Sequence, residues 1–508
     1  MLTALEAFGR ITRAITSQIA KTVRRPSRLF FGPCFLCLLA LLRHPRLVPL
    51  VLRLTPDSLM QKSGRKTVLV EAGFHLFQND WPQQAWLCLE RYLRLARPSI
   101  DEILLAGNCL YQGLGRRREA TALLVQAGER EFEDAASLGL SDFPIRVLDS
   151  VWARHIGHLG LTDYVIKRGV LEGRRREDTI LYLPPGSPVA NRFLVGQIDG
   201  CLRVVENPSD LPFPATAVQA LHFDMLVPRL PNHAVTHYWD AAAETYARWH
   251  REGRGPVLAY PADMQARGWA VLEKAGVPQG SWFVALHVRE REPDGRKSGI
   301  NSARNADISS YLPAIAEVGR RGGWVVRIGE SNASPLPALP NLIDYCRSAD
   351  RADWMDIFIL ACCRFLIGTN SGPAFVPALY GVPAVLTNWW PAGERPWRPS
   401  DIFAPKLLRR ISDESYLTLG QTLREPFGWS YSKNYLADRA GVRLEDNDAE
   451  IIRAAVREML ERLDGNSQAD SRADELRARA DRIYDENEVV GMSQLAGEFV
   501  RRYATLIA

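Results

Sequence analysis

The chain has 508 residues, too many for one hydrophobic core, and the usual size of about 100–200 residues per domain points to roughly three. Apolar residues make up 46% and charged residues 24%, which excludes a disordered or collagen-like chain. The net charge of +5 belongs to the amino terminus: residues 1–60 hold nine Lys/Arg against Glu6 and Asp57, the remaining 448 residues sum to −2, and no nucleic-acid partner is indicated.

In chain order, residues 1–60 form a basic amphipathic segment. Its longest apolar run, Leu29–Leu42, stops at Arg43-His-Pro-Arg46 and falls short of the roughly 20 residues that span a bilayer. The run begins late and no small-residue cleavage site follows, so a secretory signal is not expected. Two readings stay open: a helix lying on an anionic membrane face, and a buried helical hairpin. The eight cysteines are scattered, mostly in apolar runs, as in a reduced cytoplasmic protein. Cys34-Phe-Leu-Cys37 has CxxC spacing without a second ligand pair, so no metal site is expected there.

Residues 61–140 carry apolar positions at helical spacing, broken near Asn79–Pro82, Ala96–Pro98 and Gly113–Gly115, which predicts four short helices. Asn108, Tyr111, Gly115, Ala120, Leu124 and Ala127 fall at the small and large positions of a tetratricopeptide repeat. Gly73, Leu76, Asp80, Ala85, Leu89 and Tyr92 repeat that pattern 35 residues earlier. A plain antiparallel helical bundle is the other reading.

The texture then changes to strands alternating with helices. Over 141–278, strands are predicted at Ile145–Leu148, Thr179–Leu183, Leu202–Val205 and Ala220–Phe223, with helices at Leu161–Glu172, Val189–Gln197 and Tyr238–Arg251. Over 279–465, short all-apolar strands fall at Trp282–Val288, Trp324–Ile328, Leu342–Tyr345, Phe365–Ile367 and Ala384–Leu386. Helices intervene at Ser310–Arg321, Trp354–Cys363 and Ala374–Tyr380. The alternation predicts an α/β fold with two Rossmann-like domains of parallel strands facing a cleft, behind an all-α amino-terminal region. Residues 466–508 form a carboxyl-terminal tail read as helical from Ser471 to Ile507, after a helix at Asp448–Leu463.

Ligands of open α/β sheets sit beyond the carboxyl ends of the strands. The first such exit is His287-Val-Arg289-Glu290, where a guanidinium can grip a diphosphate with two parallel hydrogen bonds or simply pair with a carboxylate. Beyond it, Ser302–Asp307 brings Arg304, Asn305 and Asp307 before a helix, with Asp307 suited to a cap. The second exit is Val326-Arg327-Ile-Gly329-Glu330, in which Arg327 serves either a phosphate or an internal carboxylate and Gly329 allows close backbone approach. The third is Thr369-Asn370-Ser371-Gly372-Pro373, where a strand gives way to a helix whose first amides form an anion site. Alone each is a common junction; a parallel order brings all three to one edge, as a nucleotide-diphosphate site requires. There is no GxxxxGK[ST] loop and no GxGxxG after a first strand, which argues against P-loop and dinucleotide chemistry.

These residues resemble glycosyltransferases of the two-domain GT-B architecture, and in particular a bacterial family with a fucosyltransferase- and heptosyltransferase-like donor-binding half. The resemblance covers about residues 145–430 and is strongest at His287–Glu290, Gly323–Gly329, Asp353-Trp-Met-Asp356 and Phe365–Pro383. It implies that Arg289 binds the donor's phosphate and that Ser371-Gly372-Pro373 forms the donor-side turn. It also implies an acceptor-side glycine–histidine loop, matched by Arg154-His-Ile-Gly-His-Leu-Gly160, with His158 as base or acceptor contact; the other reading is that His155 and His158 only cap the helix beginning near Leu161.

The expected function is therefore transfer of a sugar from a nucleotide-diphosphate sugar to a hydroxyl of a glycan or protein acceptor, inverting and without a metal or other cofactor. The expected catalytic residues are Arg289 with His158 or Glu290 as base; the expected donor contacts are His287, Arg289, Asn305, Arg327, Gly329, Glu330, Asn370, Ser371, Gly372 and Pro373. A membrane surface at residues 1–60 and a protein partner on the helical repeats complete the expected contacts. Two alternatives stand beside this: a helical scaffold fused to an inactive nucleotide-binding domain, and a nucleotide-sugar epimerase or hydrolase.

Overall fold

The computed structural model describes residues 38–60, 67–140, 145–218, 237–290, 299–331, 333–466 and 468–507. The CxxC pair, most of the Leu29–Leu42 run and the strand expected at Ala220–Phe223 lie outside the described residues. Among those residues no helix is long and apolar enough to cross a membrane.

Four helices, Thr67–Gln78, Pro82–Leu95, Ile100–Asn108 and Arg117–Ser137, pack as two successive pairs. Ser99 and Glu102 close a capping box on the third, satisfying two of its free amides. The two pairs share one contact. Gly73 lies against Leu89 and Gly107 against Leu124, and a Cβ on either glycine would come within 2.8 Å of the leucine.

The first α/β unit pairs β1 (Arg146–Leu148), β2 (Thr179–Tyr182) and β3 (Arg203–Val205) in parallel, in that order. The helix Ile156–Leu171 joins β1 to β2. It begins before the expected Leu161 because Gly157, His158 and Gly160, poor helix formers in isolation, are held there by packing.

The second unit is a seven-stranded, all-parallel sheet. Its strands are β4 (Phe283–His287), β5 (Trp324–Arg327), β6 (Leu342–Asp344), β7 (Leu366–Gly368), β8 (Ala384–Trp389), β9 (Ile402–Pro405) and β12 (Gln494–Leu495), in the order β12-β9-β8-β7-β4-β5-β6. Every residue of β7 and β8 is buried, as expected of strands covered on both faces. A two-stranded antiparallel ribbon, β10 (Leu407–Arg410) with β11 (Val442–Glu445), hangs off this unit.

The carboxyl terminus differs from the single helix expected over Ser471–Ile507. The helix stops at Glu486, and the chain reverses through Glu488 at φ 57° and Gly491 at φ 155° before adding β12 to the edge of β9. A side chain at Gly491 would meet the Pro396 carbonyl oxygen at 2.7 Å, so glycine permits the reversal.

One continuous cluster of buried side chains runs from Leu110 through both parallel sheets to Ile507. The helical region is tied into it by polar bonds as well. Tyr431 N donates to Gln112 O at 2.7 Å, Ser430 Oγ to Gly113 O at 2.7 Å, and Arg117 pairs with Asp240 at 2.8 Å.

Candidate functional site

The strand order fixes where a ligand belongs. From β4 the chain moves outward through β5 to β6, then returns to place β7 on the other side of β4 and moves outward the opposite way through β8 and β9. The order therefore reverses between β4 and β7, and beyond the carboxyl ends of such a pair the flanking loops part to leave a crevice. His287 ends β4 directly opposite Gly368, which ends β7.

His287 faces the Ile328 carbonyl oxygen through Nδ1 at 3.3 Å and the Ser371 hydroxyl through Nε2 at 3.0 Å. A carbonyl only accepts, so Nδ1 carries the proton and Ser371 donates to Nε2. Burial pushes His287 down to about 4; the Ile328 bond opposes this and the Arg289 and Arg327 charges add to it. The ring is neutral at neutral pH, and the Ser371 oxygen keeps its lone pairs for a donor on a ligand. Ser371 itself precedes the 3-10 helix Gly372–Tyr380, with Pro373 in its first turn, and does not cap it.

Arg289 is fixed at its backbone. Its amide donates to Thr369 Oγ1 at 3.0 Å and its carbonyl accepts from Ala306 N at 2.8 Å, which bridges the β4 and β7 exits. Asn370, buried, donates from Nδ2 to Trp390 O at 2.8 Å and so ties the turn to the end of β8. His287, Arg289, Asn370, Ser371, Gly372 and Pro373 thus form one constellation at the point of reversal.

The remaining expected residues lie apart from it or are engaged. Arg327, 2% exposed, donates to Glu290, to Ser334 O at 2.7 Å and to Asp344 at 3.4 Å. Of its two sequence readings, the internal carboxylate is the one found, and Glu290 spends an oxygen on it. Gly329 lies beside the His287 ring, whereas the Glu330 side chain is exposed. Asn305 is buried and accepts through its carbonyl from Lys406 Nζ at 2.6 Å, so it anchors the loop.

The glycine–histidine turn of the first unit arrives at the same place. A Cβ on Gly157 would meet Gly372 Cα at 2.7 Å, and one on Gly160 would meet Phe375 at 2.7 Å, so the start of helix Ile156–Leu171 rests directly on the Ser371-Gly372 turn. His158 Nδ1 faces the Val151 carbonyl oxygen at 2.9 Å, which leaves Nε2 as an acceptor. Burial lowers His158, opposed by the Val151 bond, and the neighbouring His155 lowers it further. His155 stacks edge-on against His158 with ring centres 5.0 Å apart.

One group was missed in the sequence. Glu394, in the loop leaving β8, is 1% exposed; Oε2 accepts from the Tyr431 hydroxyl at 2.5 Å and Oε1 has no hydrogen-bond partner. Burial pushes it up to about 7, partly offset by Tyr431 and by the Arg304 charge. The signal available was Trp389-Trp390-Pro391 before it and Pro396-Trp397 after it, a density of aromatic residues that marks a buried loop.

Among the described residues no three His, Cys, Asp or Glu side chains are grouped so as to hold a metal ion. No protein-family model and no curated protein matches the chain. Among solved structures it is similar to a glycosyl transferase family 9 protein from Veillonella parvula, at 14% identity and a TM-score of 0.29, over 60% of this chain and 79% of that one. It is also similar to the dodecameric iron-containing heptosyltransferase TibC, in complex with ADP-D-beta-D-heptose, at 13% identity and 0.31, over 54% of this chain and 64% of that one. A third is the glycosyltransferase SnogD from Streptomyces nogalater, at 13% and 0.19, over 69% and 80%. Likenesses this distant decide no chemistry for this chain.

Proposed function

We propose that the protein transfers a sugar from a nucleotide-diphosphate sugar to a hydroxyl of a glycan or protein. The observation that carries this reading is the meeting of three groups at the reversal point between β4 and β7: Arg289, the Ser371-Gly372 turn and the His155–Gly160 turn of the first unit. A departing nucleoside diphosphate is an anion. Arg289 and the Ser371-Gly372 turn are placed to stabilise it, and fixed donors aimed at developing charge are worth about 2.7–4 kcal/mol each in a water-poor site.

His158 is the better of the two candidate bases. Its Nε2 has no hydrogen-bond partner among the described residues, and the ring is neutral because burial lowers it. Glu290 is held by Arg327. A hydroxyl oriented at His158 would lose its proton as it attacks the anomeric carbon from the face opposite the diphosphate, which inverts the configuration. Metal independence is part of the proposal.

Calorimetry with GDP-, UDP-, CMP- and ADP-sugars tests it. One class is expected to bind and to lose about tenfold or more in affinity in Arg289→Ala, in line with a hydrogen bond to a charged group. If no donor class binds, or Arg289→Ala binds as the parent does, the assignment is wrong. Release of sugar without any acceptor would instead identify a hydrolase.

A further inference from the structure

We infer that Arg304 is a second oxyanion-binding arm of this site, taking a phosphoryl group, and that Glu394 is its positioning residue. The existence of the arm stands on the residues below; only its assignment to the donor's phosphate rests on the function proposed above.

Arg304 closes the 3-10 helix Gly299–Arg304 that follows the β4 exit. Its place is fixed by its neighbours. Asn305 N donates to Ser302 O at 3.2 Å, Asn305 O accepts from the buried Lys406, and Ala306 N donates to the carbonyl of Arg289. The chain therefore delivers Arg304 beside Arg289. Its guanidinium lies over the Tyr431 ring, 5.5 Å from the centre, and makes no ion pair among the described residues. Its Nε is buried without a hydrogen-bond partner. A guanidinium has five N–H donors and a strong preference for planar oxyanions, so one that only stacks on a ring among the described residues has its donors to offer.

The charge reaches both halves of the molecule. It lowers His158 in the first unit, after larger effects of burial, and lowers Glu394 in the second. The Tyr431 ring underlies the Arg304 guanidinium and its hydroxyl donates to Glu394, so the arm adjoins the loop leaving β8, while the Ala306–Arg289 bond keeps its backbone at the β4 exit.

Glu394 is the carboxyl behind it. Tyr431 donates to it, and Tyr111 of the helical region, Tyr238 at the start of helix Tyr238–Arg251 and Asp240 are the other titratable groups whose charge it feels. Tyr431 lies under the guanidinium and donates to Glu394, and Arg304 and Glu394 form no ion pair among the described residues. When Glu394 ionises, its charge draws Arg304 inward and opposes an incoming anion. When it is protonated, the arm is released.

The test uses the full chain, with inorganic pyrophosphate and a nucleoside diphosphate as probes in calorimetry, and thermal melting to confirm that each variant is folded. Arg304→Gln keeps the stem over Tyr431 and loses the charge; it is expected to weaken pyrophosphate binding about tenfold or more, with Arg304→Lys intermediate. Glu394→Gln is expected to remove the loss of affinity that the parent shows as pH rises from 6 to 8. Comparing the two proteins cancels the titration of the probe itself.

The inference fails if the parent does not bind pyrophosphate, or if folded Arg304→Gln binds it within about twofold of the parent. Parallel pH profiles for the parent and Glu394→Gln would remove the positioning role. Pyrophosphate binding that depends on Arg304, with no binding of any nucleoside diphosphate, would uphold the arm and overturn the donor reading.

Discussion

His287 and Glu394 place opposite demands on the same site. His287 accepts a proton in the folded chain only near pH 4, whereas an unfolded histidine does so near 6.5. Between those values the unfolded state binds more protons, so this residue makes the fold less stable as pH falls from about 6.5 to 4. Glu394 titrates at about 7 when folded and at 4.5 when unfolded. The folded state holds the extra proton there, and stability falls as pH rises from about 4.5 to 7. Melting temperatures measured across pH 4–8 should show the acid-side slope weakened in His287→Gln and the neutral-side slope weakened in Glu394→Gln. Ser371→Ala should cost the fold about 1–3 kcal/mol, because it leaves the buried His287 Nε2 without its donor, and lower kcat/KM for transfer about tenfold. Equal kcat/KM in Ser371→Ala would remove the turn from the chemistry. The places of Arg289 and Ser371 at strand exits were legible in the sequence because such exits can be found from apolar runs. Glu394 and the engagement of Arg327 were not, since both depend on which loops the fold brings over a carboxyl or a guanidinium.

The elements meet through glycines at the contact between helix Ile156–Leu171 and the 3-10 helix Gly372–Tyr380. In Gly157→Ala the new methyl meets backbone at 2.7 Å, which cannot yield as a flexible side chain would. The expected cost is about 1–3 kcal/mol, with activity falling further than stability because the two turns are pushed apart. Gly196, within helix Arg192–Ile198, has nothing within 4 Å of a built Cβ. Gly196→Ala should raise stability by about 0.5–1 kcal/mol, and scanning calorimetry of the pair separates the contact from helix propensity. At this scale strands β4 to β8 and the helix Tyr238–Arg251 were readable from periodicity, whereas β9, β12 and the β10–β11 ribbon were not. The start of Ile156–Leu171 and the break after Glu486 were not, because in both the packing of glycines against distant backbone overrides local preference.

The whole molecule depends on its last strand. β12 supplies only two residues to the sheet, but it covers the edge of β9, and Arg395 is held there by Asp481 at 2.7 Å and by the Ser493 carbonyl. Removing residues 487–508 should bare the β9 edge and yield protein that elutes as aggregate in size-exclusion chromatography; a monodisperse product would show the edge to be protected otherwise. The parallel α/β architecture was legible from the alternation of elements. The reversal between β4 and β7 was not, because strand order is a long-range property that no local pattern encodes.

The glycine contact also bears on how a substrate enters. Gly157 and Gly372 touch backbone to backbone, and the buried cluster runs unbroken between the two sheets. Swinging one sheet away from the other as a hinge would expose that cluster and separate the turns that form the site. Admission then falls to side chains and surface loops, with the sheets as a fixed frame, and the association rate should not be gated by closure. Dyes on β2 and β9 should report one separation, with or without bound nucleotide.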